Sequence, residues 1–525
     1  MRRAVLGVLG VLGVLTAAGA VTAVGIGLAR RGGAARQLNV LIIVWDTVRA
    51  DRLSLYGHDR PTTPRLDARA EQGVVFEAAS SPGIWTLPSH ASLFTGLAPE
   101  STGASERWLW LDGHHLTLAE HFAEHGYATF SMAANALLCG ETNLVQGFRV
   151  PMNTYRGKVA PLAKAATQAK LVPGDVSQEL APGWRPPEHG ATNAEWGRAI
   201  YKDAAPLIGR TFLAWLDRRS DPEAPFFAYL NFMEAHTPRI PSMASRRAVL
   251  GDEALIQRGL QTDAAHIRLH FYSFGKQEYS PEQIEAIRGV YDASLRDLDE
   301  ATGQLLDALE RRGRLEDTVV VLTSDHGENL GDHGLFNHRF ALWRSLARVP
   351  LVLWHPELSP RRIETPVTTR DLFPTLSRLA GLPPPPLPDA GDLLLRPSPA
   401  ITYLAKPLRR EIETVASVYP EVRIEPWMRS GHALDDGDRR LIAWDDGQLQ
   451  LFDPRADPGE LQPLDEPGRA AALHDRLEAY REQVPPYDPT QRGPGDDPVH
   501  VRASQEELRA QLEALGYTTD DEAPP

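Results

Sequence analysis

The sequence predicts an α/β protein: a large mixed, mostly parallel sheet sandwiched by helices, a smaller C-terminal α+β subdomain and an N-terminal hydrophobic helix. Two observations predict the main body. Short β-rich runs alternate with helical segments beyond residue 37, and those runs stay apolar on successive residues, as strands buried on both faces do. A third observation sets the C-terminal part off: after DLFPTLSRLAGLPPPPLPDAGD (371–392) the character changes, and the proline cluster marks a boundary.

At the N-terminus, Met1-Arg2-Arg3 precedes an uncharged run over 4–29, closed by Arg30-Arg31. The run exceeds the roughly 20 residues that span a bilayer and is long for a signal-peptide core. Ala18-Gly19-Ala20 nevertheless offers a cleavage site. Residues 1–31 are therefore expected to form a signal-anchor in preference to a cleaved signal peptide. Either way the protein is expected to be exported, and to be membrane-anchored or periplasmic/extracellular. Arginines at both ends leave the orientation open.

The large domain is expected over 38–385. Its strands are NVLIIVWD (39–46), YATFSMAAN (127–135), PFFAYLNFM (225–233), TVVVLTSD (318–325) and VPLVLW (349–354). Helices are expected over 117–126, 211–219 and from Pro281 to about Arg312, the last an amphipathic packing helix. The Pro-, Gly- and Ala-rich stretch 155–195 reads as an insertion or loop. The subdomain over 393–485 should contain a hairpin in RRLIAWDDGQLQLFD (439–453), turning at Asp446-Gly447, and a helix near 468–481. A helix capped by Ser504 and Glu507, with an acidic tail, is expected within 486–525.

The formal net charge is −14, which gives no reason to expect nucleic acid as a partner. A single cysteine, Cys139, excludes a disulfide framework and a cysteine-rich metal site.

Polar residues fall at strand ends. One strand is apolar until Asp46, another until Asp325 and His326, and a third ends at Glu234 and His236. Parallel sheets bind ligands at the carboxyl ends of their strands, and mixed carboxylate and imidazole groups there suit a divalent metal. One such Asp is usually a turn former; several strands agreeing is harder to assign to chance. In TLPSHASLFTG (86–96), Thr86 stands at or near a helix N-cap, with Pro88 inside and Gly96 at the end. The segment alone favours capping. The other reading points the Thr86 hydroxyl at an anion held by the helix N-terminus.

WDTVRADRLSLYG (45–57), TTPRLDARAEQGVVFEAASSPG (62–83), TLPSHASLFTG (86–96), GYATFSMAAN (126–135), EAHTPRIP (234–241), SDHGENLGDHG (324–334) and ARVPLVLW (347–354) occur in one order and spacing. Together they resemble the sulfatase family of the alkaline-phosphatase superfamily, from about Asn39 to the proline cluster, with an echo in 448–464. The resemblance implies one divalent metal ion (Mn, Zn, Mg or Ca) held by Asp46, Asp325, His326 and Thr86. It puts Thr86 at the nucleophile position and His90 where sulfatases carry an arginine. It makes His236 a substrate-contacting general acid. His338 falls near a substrate-binding lysine, Asn135 near a further active-site lysine, and His333 beside the metal ligands. An anionic phosphate or sulfate ester is the implied substrate.

The departures matter. Family sulfatases mature Cys or Ser in C/S-x-P-x-R to formylglycine; Thr86 with His90 breaks that motif, so no formylglycine is expected. Thr47 replaces a second aspartate, and His326 replaces the asparagine of an Asp-Asn metal pair. A formylglycine hydrate ejects sulfate by breaking its own C–O bond, whereas a threonine ester needs a second nucleophile to attack phosphorus or sulfur. Metal-assisted displacement at phosphorus suits that requirement. The expectation is thus a hydrolase or transferase of phosphate (di)esters, acting through a Thr nucleophile. Sulfate-ester hydrolysis is the alternative, and an inactive sulfatase-like binding protein the second.

Overall fold

The computed structural model describes residues 37–172 and 202–496, except 263–265, 356, 384–386, 388–389 and 408, together with 501, 505 and 508. The expected N-terminal hydrophobic helix and the Ser504 helix lie outside the described residues. Among the described residues no helix is long and apolar enough to cross a membrane.

An eight-stranded sheet organises the chain. Its strands are β1 (Asn39–Trp45), β2 (Val74–Phe76), β3 (Ala128–Ala133), β4 (Val150–Asn153), β5 (Phe226–Phe232), β6 (Thr318–Thr323), β7 (Leu351–Trp354) and β8 (Arg361–Ile363), in the order β8-β2-β7-β6-β1-β5-β3-β4. Only β7 runs against its neighbours, β6 and β2. The rest of the sheet is parallel, including β1 with β5 and β6 and β3 with β4 and β5.

Alternation along the central strands splits the core in two. Val40, Ile42 and Val44 pack with Leu87 and Phe94 of α1 (Thr86–Thr95), Phe122 of α2 (Leu118–Glu124) and Leu372 of α5 (Leu372–Leu379). Leu41, Ile43 and Trp45 pack on the opposite face with Phe212 of α3 (Ala205–Asp217) and Leu298 of α4 (Pro281–Arg311). Helices thus cover both faces, as the apolar runs require.

Two helices begin where their caps say they should. Thr117 and Glu120 form a capping box on α2, and Ser280 and Gln283 form one on α4, where Pro281 opens the helix. The expected helix over 211–219 is longer, starting at Ala205, whose amide donates to Glu234 Oε1 at 2.8 Å. The stretch read as a loop over 155–195 contains a helix at Ala160–Gln168 before the described residues break off.

The C-terminal sheet is antiparallel: β9 (Ala400–Leu404), β10 (Gly431–Asp435), β11 (Arg440–Trp444) and β12 (Leu449–Phe452). Gly447, at φ +86°, makes the β11–β12 turn. One face of the sheet, through Leu441 and Leu451, packs on α6 (Pro467–Arg481). The other, through Ile442 and Phe452, joins the main core.

Candidate active site

Because β1, β3, β5 and β6 are parallel, their carboxyl ends lie on one edge. Asp46 follows β1 directly, Asp325 and His326 follow β6, and Asn135 follows β3. Asp46, Asp325 and His326 are buried, and one ligating atom of each lies within 4.8 Å of the others.

Each of these side chains is half satisfied. Asp46 Oδ2 accepts from Asn135 Nδ2 at 2.8 Å and Asn231 Nδ2 at 3.1 Å. Asp325 Oδ1 accepts from the amides of Thr47 and His326, at 3.1 and 3.0 Å. His326 Nδ1 lies 2.9 Å from Gly327 O, so Nδ1–H donates there and Nε2 keeps its lone pair. The remaining atoms, Asp46 Oδ1, Asp325 Oδ2 and His326 Nε2, have no hydrogen-bond partner among the described residues. Buried polar atoms are rarely left so. Burial, with Asp325 beside it, pushes Asp46 up to about 7, and burial does the same to Asp325 despite the amides it accepts from. Two orphaned carboxylate oxygens and one imidazole lone pair converging in a buried site fit a divalent cation.

Thr86 opens α1, but the residue preceding the helix is Trp85 and no side chain caps it. The capping reading of Thr86 is therefore corrected: its side chain faces the cluster. Oγ1 accepts from Asn135 Nδ2 at 3.1 Å, and the hydroxyl offsets part of the upward shift that burial imposes on Asp325. The Asn135 amide is oriented by Leu137 N, which donates to its Oδ1 at 2.9 Å, so Nδ2 must face Asp46 and Thr86. Thr47, at φ +61°, turns its hydroxyl back to Asp46 O at 2.7 Å and offers only its amide to Asp325.

The histidines divide. His90 is enclosed by its own helix and β5: Nδ1–H donates to Thr86 O at 2.8 Å, and Nε2 accepts from Tyr229 Oη at 2.6 Å. Burial pushes it down to about 3, so it is a neutral ring holding the Thr86 backbone and Tyr229. His236 and His338 come together, with ring centres 5.3 Å apart and His338 4.6 Å from His326. Burial holds both well below the ordinary imidazole range. His333 goes elsewhere: it stacks on Trp343 at 3.9 Å, and its Nε2 meets Gly459 O at 3.0 Å. Glu234, grouped with the acidic strand ends from sequence, instead receives the Ala205 amide at the start of α3.

Sequence reasoning missed the groups that hold the site in place. Tyr229 and Asn231 share one face of β5, and two polar residues at period 2 in a buried strand were the available signal. Glu328 bridges the Arg239 guanidinium (3.0 Å) and His338 Nδ1 (3.3 Å), all three buried. Nothing in their spacing announces that contact.

Residues 38–382 match the sulfatase family model, so the chain belongs to the sulfatase family. It is 26% identical over 466 residues to the choline-sulfatase of Rhizobium meliloti (strain 1021), covering 85% of each chain. It is 26% identical over 435 residues to an ulvan-active sulfatase of Formosa agariphila, covering 80% of this chain and 75% of that one. In fold it matches the phosphonate monoester hydrolase of Agrobacterium radiobacter with a TM-score of 0.63 at 21% identity, over 86% of this chain and 96% of that one. The chain is accordingly a hydrolase of the sulfatase family.

Proposed function

We propose that this sulfatase-family enzyme is a metal-dependent hydrolase or transferase of phosphate esters, preferring singly charged diesters, with Thr86 as nucleophile. The observation that carries this is Thr86 Oγ1 itself, 3.1 Å from the Asn135 Nδ2 that also donates to Asp46, one of the residues whose ligand atoms are left orphaned. Asp46 Oδ1, Asp325 Oδ2 and His326 Nε2, with Thr86 Oγ1, would hold one divalent ion. The imidazole favours a transition-type ion such as Zn or Mn over Ca. When bound, the ion would lower the pKa of the Thr86 hydroxyl and polarise the ester.

The chain's own groups do the rest. Asn135 Nδ2 is a donor to Oγ1 and would hold that oxygen as it gains negative charge. Thr86 loses its hydroxyl proton to solvent, its Oγ–P bond forms as the bond to the leaving oxygen breaks, and that oxygen takes a proton. His236 is the candidate donor; an anionic ester beside it would raise its affinity for that proton. Water or an alcohol then attacks phosphorus, its proton passing to His236, and the P–Oγ bond breaks, freeing Thr86 for another turnover.

Charge favours a diester. His90 is neutral by its two hydrogen bonds, and Asn135 falls near the position of a family lysine, so two places where the family supplies cations supply none here. A dianionic monoester is poorly compensated by such a site; a monoanionic diester is better matched. A sulfate ester also carries one charge, and the sulfatases among the relatives favour it as the second reading. Thr86 favours the phosphate ester, since it lacks the formylglycine route.

The test is a panel of chromogenic phosphate mono- and diesters, phosphonates and sulfates, with and without Mn²⁺, on wild type and Thr86→Ala. The expected result is the highest kcat/KM on a diester and a loss of about 10⁴-fold or more in Thr86→Ala. Faster turnover of sulfate than of any phosphoester would transfer the assignment to the second reading. Unchanged activity in Thr86→Ala would remove the nucleophile.

A further inference from the structure

Behind the ligand cluster lies a buried chain of charged and imidazole groups that the mechanism above does not use. Arg239 leaves the segment after β5, with Nε donating to Ala235 O at 3.0 Å and its guanidinium 5.3 Å from the Tyr291 ring of α4. One terminal nitrogen of Arg239 reaches Glu328 Oε2 at 3.0 Å. Arg49 reaches the backbone of the same residue, donating to Glu328 O at 3.0 Å. The other carboxylate oxygen, Oε1, lies 3.3 Å from His338 Nδ1. Glu328 is thus gripped at its main chain and at both carboxylate oxygens.

We infer that Glu328 is a positioning residue for His338: held by Arg239 and Arg49, its carboxylate fixes the ring beside the reacting ester. A carboxylate accepting from Nδ1–H fixes both the rotation of an imidazole and its tautomer, as orienting groups do for bases and metal ligands. The ring held this way stands 4.6 Å from His326 and 5.3 Å from His236, between the ligand side of the site and the histidine offered as acid. A charged Arg–Glu pair buried away from water is a costly way to stabilise a fold, which makes an orienting use the more economical explanation.

The inference rests on the active-site reading, and its test separates the two. The cycle of wild type, Glu328→Gln, His338→Ala and the double variant is measured on whichever ester of the panel is turned over, sulfate included. Its outcome therefore stands apart from that of Thr86→Ala. Glu328→Gln should lower kcat about 10- to 100-fold with a smaller change in KM, as loss of an orienting partner does. In the His338→Ala background the same substitution should change kcat less than about twofold, because the effects are coupled. Mn²⁺ stoichiometry, read by calorimetry, should stay as in wild type. Additive losses, or lost Mn²⁺ binding, would overturn the inference. Should Glu328→Gln fail to fold, Glu328→Asp keeps the charge against Arg239 and shortens the reach to His338. Wild-type kcat in that variant would equally overturn it.

Discussion

Two groups of buried aspartates in this molecule meet opposite fates. Asp292, on α4, is wholly buried, yet Arg52 grips it bidentately at 2.9 and 2.6 Å, Arg60 approaches to 2.7 Å and His58 to 3.2 Å. Burial alone would raise its pKa; Arg52, His58 and Arg60 hold it below the usual carboxylate range. Asp46 and Asp325 are as deeply buried and, among the described residues, have no arginine or lysine against them, so burial pushes both up to about 7. The chain supplies the cation at Asp292 and leaves it to be supplied from outside at the strand ends. A buried charge needs a partner, and where the protein offers none the arrangement points to a ligand.

The comparison can be broken by substitution. Asp325→Ala should abolish stoichiometric metal binding and reduce turnover as severely as Thr86→Ala, while the purified protein remains folded by circular dichroism. Asp292→Ala should do the converse. Stranding the Arg52 and Arg60 guanidiniums beside one empty position should cost about 3–5 kcal/mol in denaturant unfolding, with kcat per folded molecule and metal content unchanged. If Asp292→Ala lost metal, or Asp325→Ala kept it, the two groups would not differ as described.

Ligand linkage gives a smaller effect. Metal at about 100 times its Kd should stabilise the wild type by about 2.7 kcal/mol, and Asp46→Asn should remove most of that gain. Full stabilisation in Asp46→Asn would place the ion elsewhere.

A further effect is in pH, and its sign differs between the groups. Asp292 has a lowered folded pKa, so its contribution is complete above the unfolded value of about 4 and fades as pH falls through the folded one. Asp46 and Asp325 have folded values near 7 in the metal-free chain. Between about pH 4 and 7 the folded state then binds protons that the unfolded state does not, and stability falls as pH rises. Chelated wild type should therefore unfold at lower urea at pH 8 than at pH 5. Saturating metal should flatten that trend, and Asp292→Asn should weaken only the acid limb.

What could be read in sequence follows the range of the interactions. The central strands were legible because burial on both faces leaves near-continuous apolar runs, and Asp46, Asp325 and His326 because each ends such a run. Thr86 was visible, but its role was not: the segment looks like a capped helix, and only Asn135 and Asp325, from two other elements, show that the hydroxyl is turned away from capping. His333 looked like a neighbour of the metal ligands, yet Gly331 and Gly334, both at positive φ, bracket a turn that sends it to Trp343. The 240–275 stretch contains helices at Met243–Leu250, Glu253–Thr262 and His266–Ser273. The first two lie against α4, and short helices draw their stability from such packing more than from their own sequence. The Arg239–Glu328–His338 contact was hidden for a related reason, since its three members lie on separate turns of chain that only the folded sheet edge assembles.

The most direct test of the central claim is anomalous diffraction from crystals soaked in Mn²⁺. The account predicts a peak bounded by Asp46 Oδ1, Asp325 Oδ2, His326 Nε2 and Thr86 Oγ1. No peak there in well-ordered crystals, or a peak from which Thr86 Oγ1 is turned away, would contradict it.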